Sequence, residues 1–361
     1  MSSSARKNSF DIVRFLAATF VILSHSYALV GLPEPQIGNI HLGGFSVWVF
    51  FILSGFLISF SWKQYPRFDV FMAKRSLRIF PGLIVAIILT MIVMGFLSTL
   101  TYRDYITHHE TASYLNNILL LRPQYSLPGV FTNNIYPAAV NGSLWTLAYE
   151  FFMYFAVAML GVFSLLKKRR IEYVWAILFL LNILSVCKPG ALSFSIFYLD
   201  MRLIVQMGLM FFSGVLLQMY DKKIVYKNKY WISSLVLFFA LATILPLYTA
   251  LFGGLLLAYG IIGFSKKPYF SNFSKYGDFS YGLYIYAYPV QQTVWYFTKT
   301  TSPLKMFALA FTTSLILGIT SWYLVESRFI KLKKHIKLED YPLSKRHAEI
   351  ATLVLPGKPP Q

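Results

Sequence analysis

Long apolar runs, separated by short polar and basic segments, take up most of this chain. A run of roughly 20 such residues crosses the hydrocarbon of a bilayer at about 1.5 Å per residue. Ten runs approach that length: 10–30, 44–62, 79–99, 143–166, 173–187, 202–219, 231–248, 250–265, 278–297 and 304–326. The seventh and eighth are nearly continuous, and Pro246 is expected to break them, because proline removes a backbone donor and starts a tight turn. The first run carries Asp11 and Arg14 and lacks a small-residue cleavage site, so it reads as a span and not as a signal peptide. The pattern predicts an all-α integral membrane protein of about ten transmembrane helices. Residues 1–330 form its membrane domain, and the polar, basic stretch 331–361 is expected to be a flexible tail.

Composition agrees. Hydrophobic residues make up 57% and charged residues 13% of the 361 positions, about half the charge of a typical soluble domain. The net charge of +19 would suit a nucleic-acid binder, but the placement of the cations says otherwise. With the N-terminus inside, 26 of the 33 Lys and Arg fall in inner segments, six fall outside, and Arg14 lies within the first run. That alternation is the positive-inside rule. It puts both termini in the cytoplasm and removes the nucleic-acid reading. The one cysteine, Cys187, permits no intrachain disulfide and no thiolate cluster, and is expected to pack as a small apolar residue. The six histidines include no pair at zinc-ligand spacing, so no metal is expected. The longest polar stretch, about 100–142, is an external loop rich in Tyr, Asn, Thr and Pro. Loops of that length are usually functional. Tyr114 to Leu121 reads as a short interfacial helix, and the loop is the expected contact for an acceptor.

Ionisable residues inside a span are expensive and mark function by default. Asp11, Arg14 and His25 share the first run. Eleven residues separate Arg14 from His25, which leaves them about 20° apart around the helix and roughly 16 Å apart along it. Asp11 precedes Arg14 by one turn, so one polar stripe runs from the inner rim past the midplane. A buried, hydrogen-bonded histidine and an arginine snorkelling to headgroups are the plain structural readings; the two on one face favour function. Glu150 descends from the outer edge of the fourth span to a depth similar to that of His25. A carboxylate beside an imidazole would raise its basicity, as a general base requires; a structural interhelical hydrogen bond is the alternative. Arg75 and Arg78, at i and i+3, stand at the expected start of the third helix, where guanidiniums and a helix N-terminus suit phosphate, although topology anchoring alone would also place cations there. Together these residues suggest an anionic donor at Arg14, Arg75 and Arg78, with a long arm reaching toward His25. Acyl-coenzyme A has that shape. His25 would deprotonate an acceptor hydroxyl or carry the acyl group itself.

At these residues the chain resembles the membrane-bound acyltransferase-3 family, from Phe10 to about Arg328. The blocks are Asp11, Arg14 and His25; Val49-Phe50-Phe51-Ile52-Leu53-Ser54-Gly55-Phe56-Leu57-Ile58; Arg75-Ser76-Leu77-Arg78-Ile79-Phe80-Pro81; Ser143-Leu144-Trp145 with Tyr149-Glu150; and Ser280-Tyr281-Gly282-Leu283-Tyr284. The resemblance implies ten core helices in the inner (plasma) membrane. It also implies transfer of an acyl group, usually acetyl, from cytoplasmic acetyl-CoA to a sugar hydroxyl of an envelope glycan or lipid-linked glycan. His25 and Glu150 would be catalytic, Arg14, Arg75 and Arg78 would bind the donor, and Asp11, Ser54, Trp145, Tyr149 and Tyr281 would support them. Two features depart from the family pattern. Tyr286-Ala287-Tyr288-Pro289 lacks the common histidine before proline, although Gln291-Gln292 resembles a known branch. Glu326 is followed two places on by Arg328 where proline is common, which weakens a role for Glu326. Only the short tail follows the tenth span, so transfer is expected to be completed by the membrane domain or a separate partner.

A transporter or flippase of a lipid-linked sugar is the competing reading, since intramembrane His, Glu and Arg suit one. The chain lacks the paired Gly/Pro-broken helices in two related halves that such folds carry.

Overall fold

A computed structural model describes residues 8–120, 123–137 and 139–332. The basic tail falls almost wholly outside the described residues, as does Leu121 of the expected interfacial helix.

The described chain is almost entirely helical. Its long helices are α1 (Phe10–Ala28), α2 (Leu42–Gln64), α3 (Phe68–Gly95), α6 (Trp145–Val162), α7 (Lys168–Cys187), α8 (Met201–Met219), α9 (Asn228–Ile244), α10 (Pro246–Ser265), α11 (Ser280–Thr298) and α12 (Pro303–Ser321). The loop after α3 holds two short helices, α4 (Tyr102–Thr107) and α5 (His109–Ser113), and a 3₁₀ turn, Tyr114–Leu119, so the expected interfacial helix is a 3₁₀ segment. Two hairpins, β1 (Gln36–Ile37) with β2 (Ile40–His41) and β3 (Ser195–Ile196) with β4 (Leu199–Asp200), cap the ends of α2 and α8. Pro246 separates α9 from α10 as its chemistry predicts.

Among the described residues, seven helical stretches are long and apolar enough to cross a membrane: α1, α2, α3, α6, α7, α8 and the continuous stretch Pro303–Leu332. The protein is a multi-pass membrane protein. Of the remaining long helices, α9 has 17 residues, and α11 carries Gln291, Gln292 and several tyrosines, most of them buried inside the bundle.

Small residues set the tightest helix contacts, as is usual where lipid supplies no hydrophobic drive between helices. A Cβ on Gly55 of α2 would fall 1.9 Å from the Phe211 carbonyl oxygen of α8, and one on Gly214 would fall 2.1 Å from that of Ile52. Gly282 of α11 meets Gly318 of α12 in the same way. These contacts lock α2 to α8 and α11 to α12, leaving α1 packed against α2 on one side and α11 on the other.

Two elements differ from the sequence reading. Helix α3 starts at Phe68, eleven residues before the apolar run from which its start was predicted, and carries Pro81 within it. Arg75 and Arg78 therefore sit two to three turns into α3, and the expected helix N-terminal phosphate site does not form there. Cys187 is exposed. It is the last residue of α7, a peripheral helix that buries few side chains, so it is not packed in the core as expected.

Candidate active site

The local structure of α11 begins the site. Pro289 lies inside this helix and has no N–H to offer the carbonyl four residues back, which is that of Ile285. Asn141 Nδ2 donates to this freed oxygen at 3.0 Å. The hydroxyl of Tyr284 donates to Ser143 O at 3.1 Å and pairs with Thr146 Oγ1 at 2.6 Å. These bonds draw the end of the loop that follows α3 into the bundle, where α6 begins. Replacing Asn141 with alanine would strand the Ile285 carbonyl, at a cost of about 1–3 kcal/mol; thermal melting in detergent should fall accordingly, and an unchanged melting temperature would refute the anchoring role.

The consequence for Glu150 is direct. Ser24, beside His25, accepts the Gly43 N–H at the top of α2, whereas Glu150 accepts from Ser54 Oγ at 2.8 Å, eleven residues further down α2. That places Glu150 about 16 Å below the His25 level. The equal depth expected from counting along each span is thus overturned, and Glu150 is not the partner of His25. Its remaining bond is from the Tyr154 hydroxyl, one turn on.

Glu150 instead lines a cavity of about 320 Å³ near the basic end of the bundle, together with Arg14, Arg75, Arg78, Ser54, Asp278 and Tyr281. Arg14 pairs with Asp11 and, at 3.2 Å, with Asp278. Arg78 pairs with the same Asp278 at 2.7 Å and with Glu326 at 3.2 Å. Asp278, in the loop ahead of α11, thus bridges two guanidiniums. Burial opposes its charge, but Arg14, Arg78 and hydrogen bonds from Ser280 outweigh that penalty and hold the carboxyl at about 2.

Glu326 gains a position that its sequence context argued against. A π-helical turn, Trp322–Glu326, follows α12 and precedes α13 (Ser327–Leu332). It swings Glu326 inward to 1% exposure, where Arg78 and Ser321 donate to it. Such turns recur at functional sites. Asp278 was also missed. The available signal was its position two before Ser280, whose N–H and hydroxyl it accepts in a short cap-like turn.

The three arginines are therefore not equivalent. Arg14 and Arg78 are held by carboxylates. Arg75 has none among the described residues: its Nη2 reaches Ser61 Oγ at 3.4 Å, and its buried Nε has no partner. It is the guanidinium in the cavity left to meet an anion. The supporting residues divide as well. Ser54 and Tyr281 line the cavity, Tyr281 donating to Ile79 O. Trp145 and Tyr149 do not; they pack edge to face, and the Tyr149 hydroxyl accepts from Asp200 N–H, pinning α6 to the β3–β4 hairpin.

His25 lies beyond the cavity on the same helix as Arg14, with Tyr288 edge-on to its ring at 5.3 Å. Tyr284, one turn before Tyr288 on α11, lines the cavity. The two tyrosines link the arginine cavity to the imidazole along one face of α11. Gln291 fixes α1 at that level, donating to Ile22 O and Ser26 Oγ. Gln292 donates to Tyr136 O and Ala139 O of the external loop.

This arrangement can hold an anion at one end and present a polar group to an imidazole at the other. A family model described as an acyltransferase domain matches residues 7–326. The chain belongs to the acyltransferase-3 family. It is 34% identical over 333 residues to a protein named O-acetyl transferase from Shigella phage Sf6, covering 90% of this chain and 96% of that protein. It is also 32% identical over 169 residues to nodulation protein 10 of Rhizobium leguminosarum bv. viciae, covering 44% of this chain and 45% of that one. No solved structure matches. Membership of the acyltransferase-3 family and the full-length likeness to the phage protein make the chain an O-acetyltransferase. Among the described residues no group of three or more His, Cys, Asp or Glu is placed to hold a metal ion.

Proposed function

We propose that the protein transfers an acetyl group from cytoplasmic acetyl-CoA to a hydroxyl of an envelope polysaccharide or lipid-linked glycan. All ten long helices span the inner membrane in this reading, with both termini and the arginine cavity on the cytoplasmic side. One observation carries it: an anion-ready cavity at the basic end connects along Tyr284 and Tyr288 to an imidazole in the opposite half. The donor's phosphates meet Arg75, while Arg14 and Arg78, tied to Asp11, Asp278 and Glu326, shape the entrance. The acyl-bearing arm runs past Glu150 and Tyr284 toward His25. There the imidazole takes the acceptor's proton; serving as a transient acyl carrier is the other route open to it. The external loop, anchored by Asn141 and Gln292, contacts the acceptor.

The test uses purified protein in detergent, without a membrane gradient, supplied with acetyl-CoA labelled in the acetyl group and a base-treated envelope glycan fraction with its hydroxyls freed. Release of free CoA and movement of label to the glycan are expected. CoA neither bound nor released would favour a carrier of lipid-linked sugar. Arg75→Ala is expected to weaken CoA binding by about 10-fold or more, the value of one charge-assisted hydrogen bond, as read by calorimetric titration. Unchanged affinity would return Arg75 to a topology anchor. Arg78→Ala differs, since it strands Glu326 and Asp278, and its main effect is on stability.

A further inference from the structure

A carboxylate that no sequence pattern singled out is bonded to Ser24, the residue before His25. The chain leaving α1 turns back at Gly31, whose φ is +81°, and runs through Leu32-Pro33-Glu34-Pro35 before the Pro35 carbonyl accepts the Leu42 N–H that opens α2. Proline on both sides restricts the backbone of Glu34, because each ring fixes its own φ and confines the residue before it to extended conformations. The side chain is held too. The hydroxyl of Ser24, fully buried, donates to Glu34 Oε2 while accepting the Gly43 N–H. A Cβ on Gly43 would lie 3.3 Å from Ser24 Oγ and 3.5 Å from Glu34 Oε2, so the pair abuts the first turn of α2.

The carboxylate is thus fastened to the residue immediately before His25. Oε1 of Glu34 accepts no hydrogen bond from the described residues, and His25 Nδ1 is buried without a partner. The group here that would gain a positive charge in acid–base catalysis is His25.

We infer that Glu34 is the positioning carboxylate of His25, orienting the ring and stabilising the imidazolium formed during transfer. The inference rests on the reading of His25 as general base. In that step the acceptor hydroxyl gives its proton to His25 as its oxygen bonds the thioester carbonyl carbon. The carbon–sulfur bond then breaks, and the proton passes from the imidazolium to the CoA thiolate. The ring is cationic between those events, and a fixed carboxylate lowers the cost of that state without contacting either substrate.

Glu34→Gln, Glu34→Asp, Ser24→Ala and His25→Ala are to be compared in the full chain, with acetyl-CoA and the base-treated glycan fraction as substrates. Glu34→Gln keeps an acceptor for Ser24 but loses the charge; its kcat is expected to fall about 50-fold, within the range of acid–base assistance, with KM for acetyl-CoA within about twofold. Glu34→Asp should recover most of that loss, a pattern that a merely structural role would not give. Ser24→Ala, which frees the carboxylate, should lower kcat about fivefold and decides the matter if Glu34→Gln does not fold. Wild-type kcat in Glu34→Gln, or in Ser24→Ala where the former does not fold, overturns the inference. If His25→Ala is inactive in the same series, the base reading survives without Glu34; if His25→Ala is active, that reading itself falls.

Discussion

His25→Ala is expected to lower the transfer rate by about three orders of magnitude, within the range associated with a positioned general base, while leaving the protein folded. The structure makes these two outcomes separable. The imidazole is only half-buried, Nδ1 has no hydrogen-bond partner, and its ring contact is one edge of Tyr288. Truncation therefore removes one ring contact and breaks no hydrogen bond at Nδ1. Gln291 continues to hold α1 through Ile22 and Ser26. The measurement is kcat with labelled acetyl-CoA, accompanied by gel-filtration elution and thermal melting. CoA affinity should be unchanged, because the donor's charged end sits at Arg75, near the other end of the stripe. Activity within threefold of wild type in a folded variant would remove His25 from the chemistry.

The second large effect is expected at Asp278. Its carboxylate is shared between Arg14 and Arg78 and is only 15% exposed. Asp278→Asn keeps the shape and removes the charge, leaving two guanidiniums facing each other with less to hold them apart. Breaking a buried ion pair by losing one partner costs about 3–5 kcal/mol; Asp11 and Glu326 remain as counter-charges, which argues for the lower end, about 3 kcal/mol. Thermal melting in detergent should fall by several degrees at neutral pH. The sign of the pH dependence follows from the depressed value of about 2. The ordinary aspartate value is near 3.9, so the folded protein favours the charged form. The stabilisation is present at neutral pH and is lost as pH falls from about 4 toward 2. Wild type and variant should therefore converge in melting temperature toward the acid end. Equal melting temperatures at neutral pH would show that the bridge is not structural.

Much of the architecture was legible in the chain because a bilayer permits few solutions. Every backbone polar group within it must be satisfied inside the segment, so apolar length alone marks helices. The loops reveal their cations, and Pro246 marks a break that the structure keeps between Ile244 and Pro246. The Asp11, Arg14 and His25 stripe was likewise visible, because helical periodicity is local. The start of α3 was misread for a local reason as well: the apolar run begins at Ile79, yet the helix extends back through the basic segment to Phe68.

Pairings between helices were not legible. Counting residues from each span's edge assumes that every helix begins at the same depth. Helix α6 does not, because Pro289 on α11 frees the Ile285 carbonyl and Asn141 descends to meet it. That bond, with those of Tyr284 to Ser143 and Thr146, places Glu150 at the arginine cavity and not at the level of His25.

By itself the sequence determined the class of molecule, its long helices and the residues of the polar stripe, since these depend on periodicity and transfer energy along one helix at a time. Only the tertiary structure decided the partners of the buried charges: Asp278 and Glu326 pair with Arg78, Ser54 and Tyr154 donate to Glu150, and Arg75 has no ion pair among the described residues. Such partnerships are set by helix depth, rotation and one π-turn. Those depend on contacts between residues as much as 269 positions apart, and no local pattern encodes them.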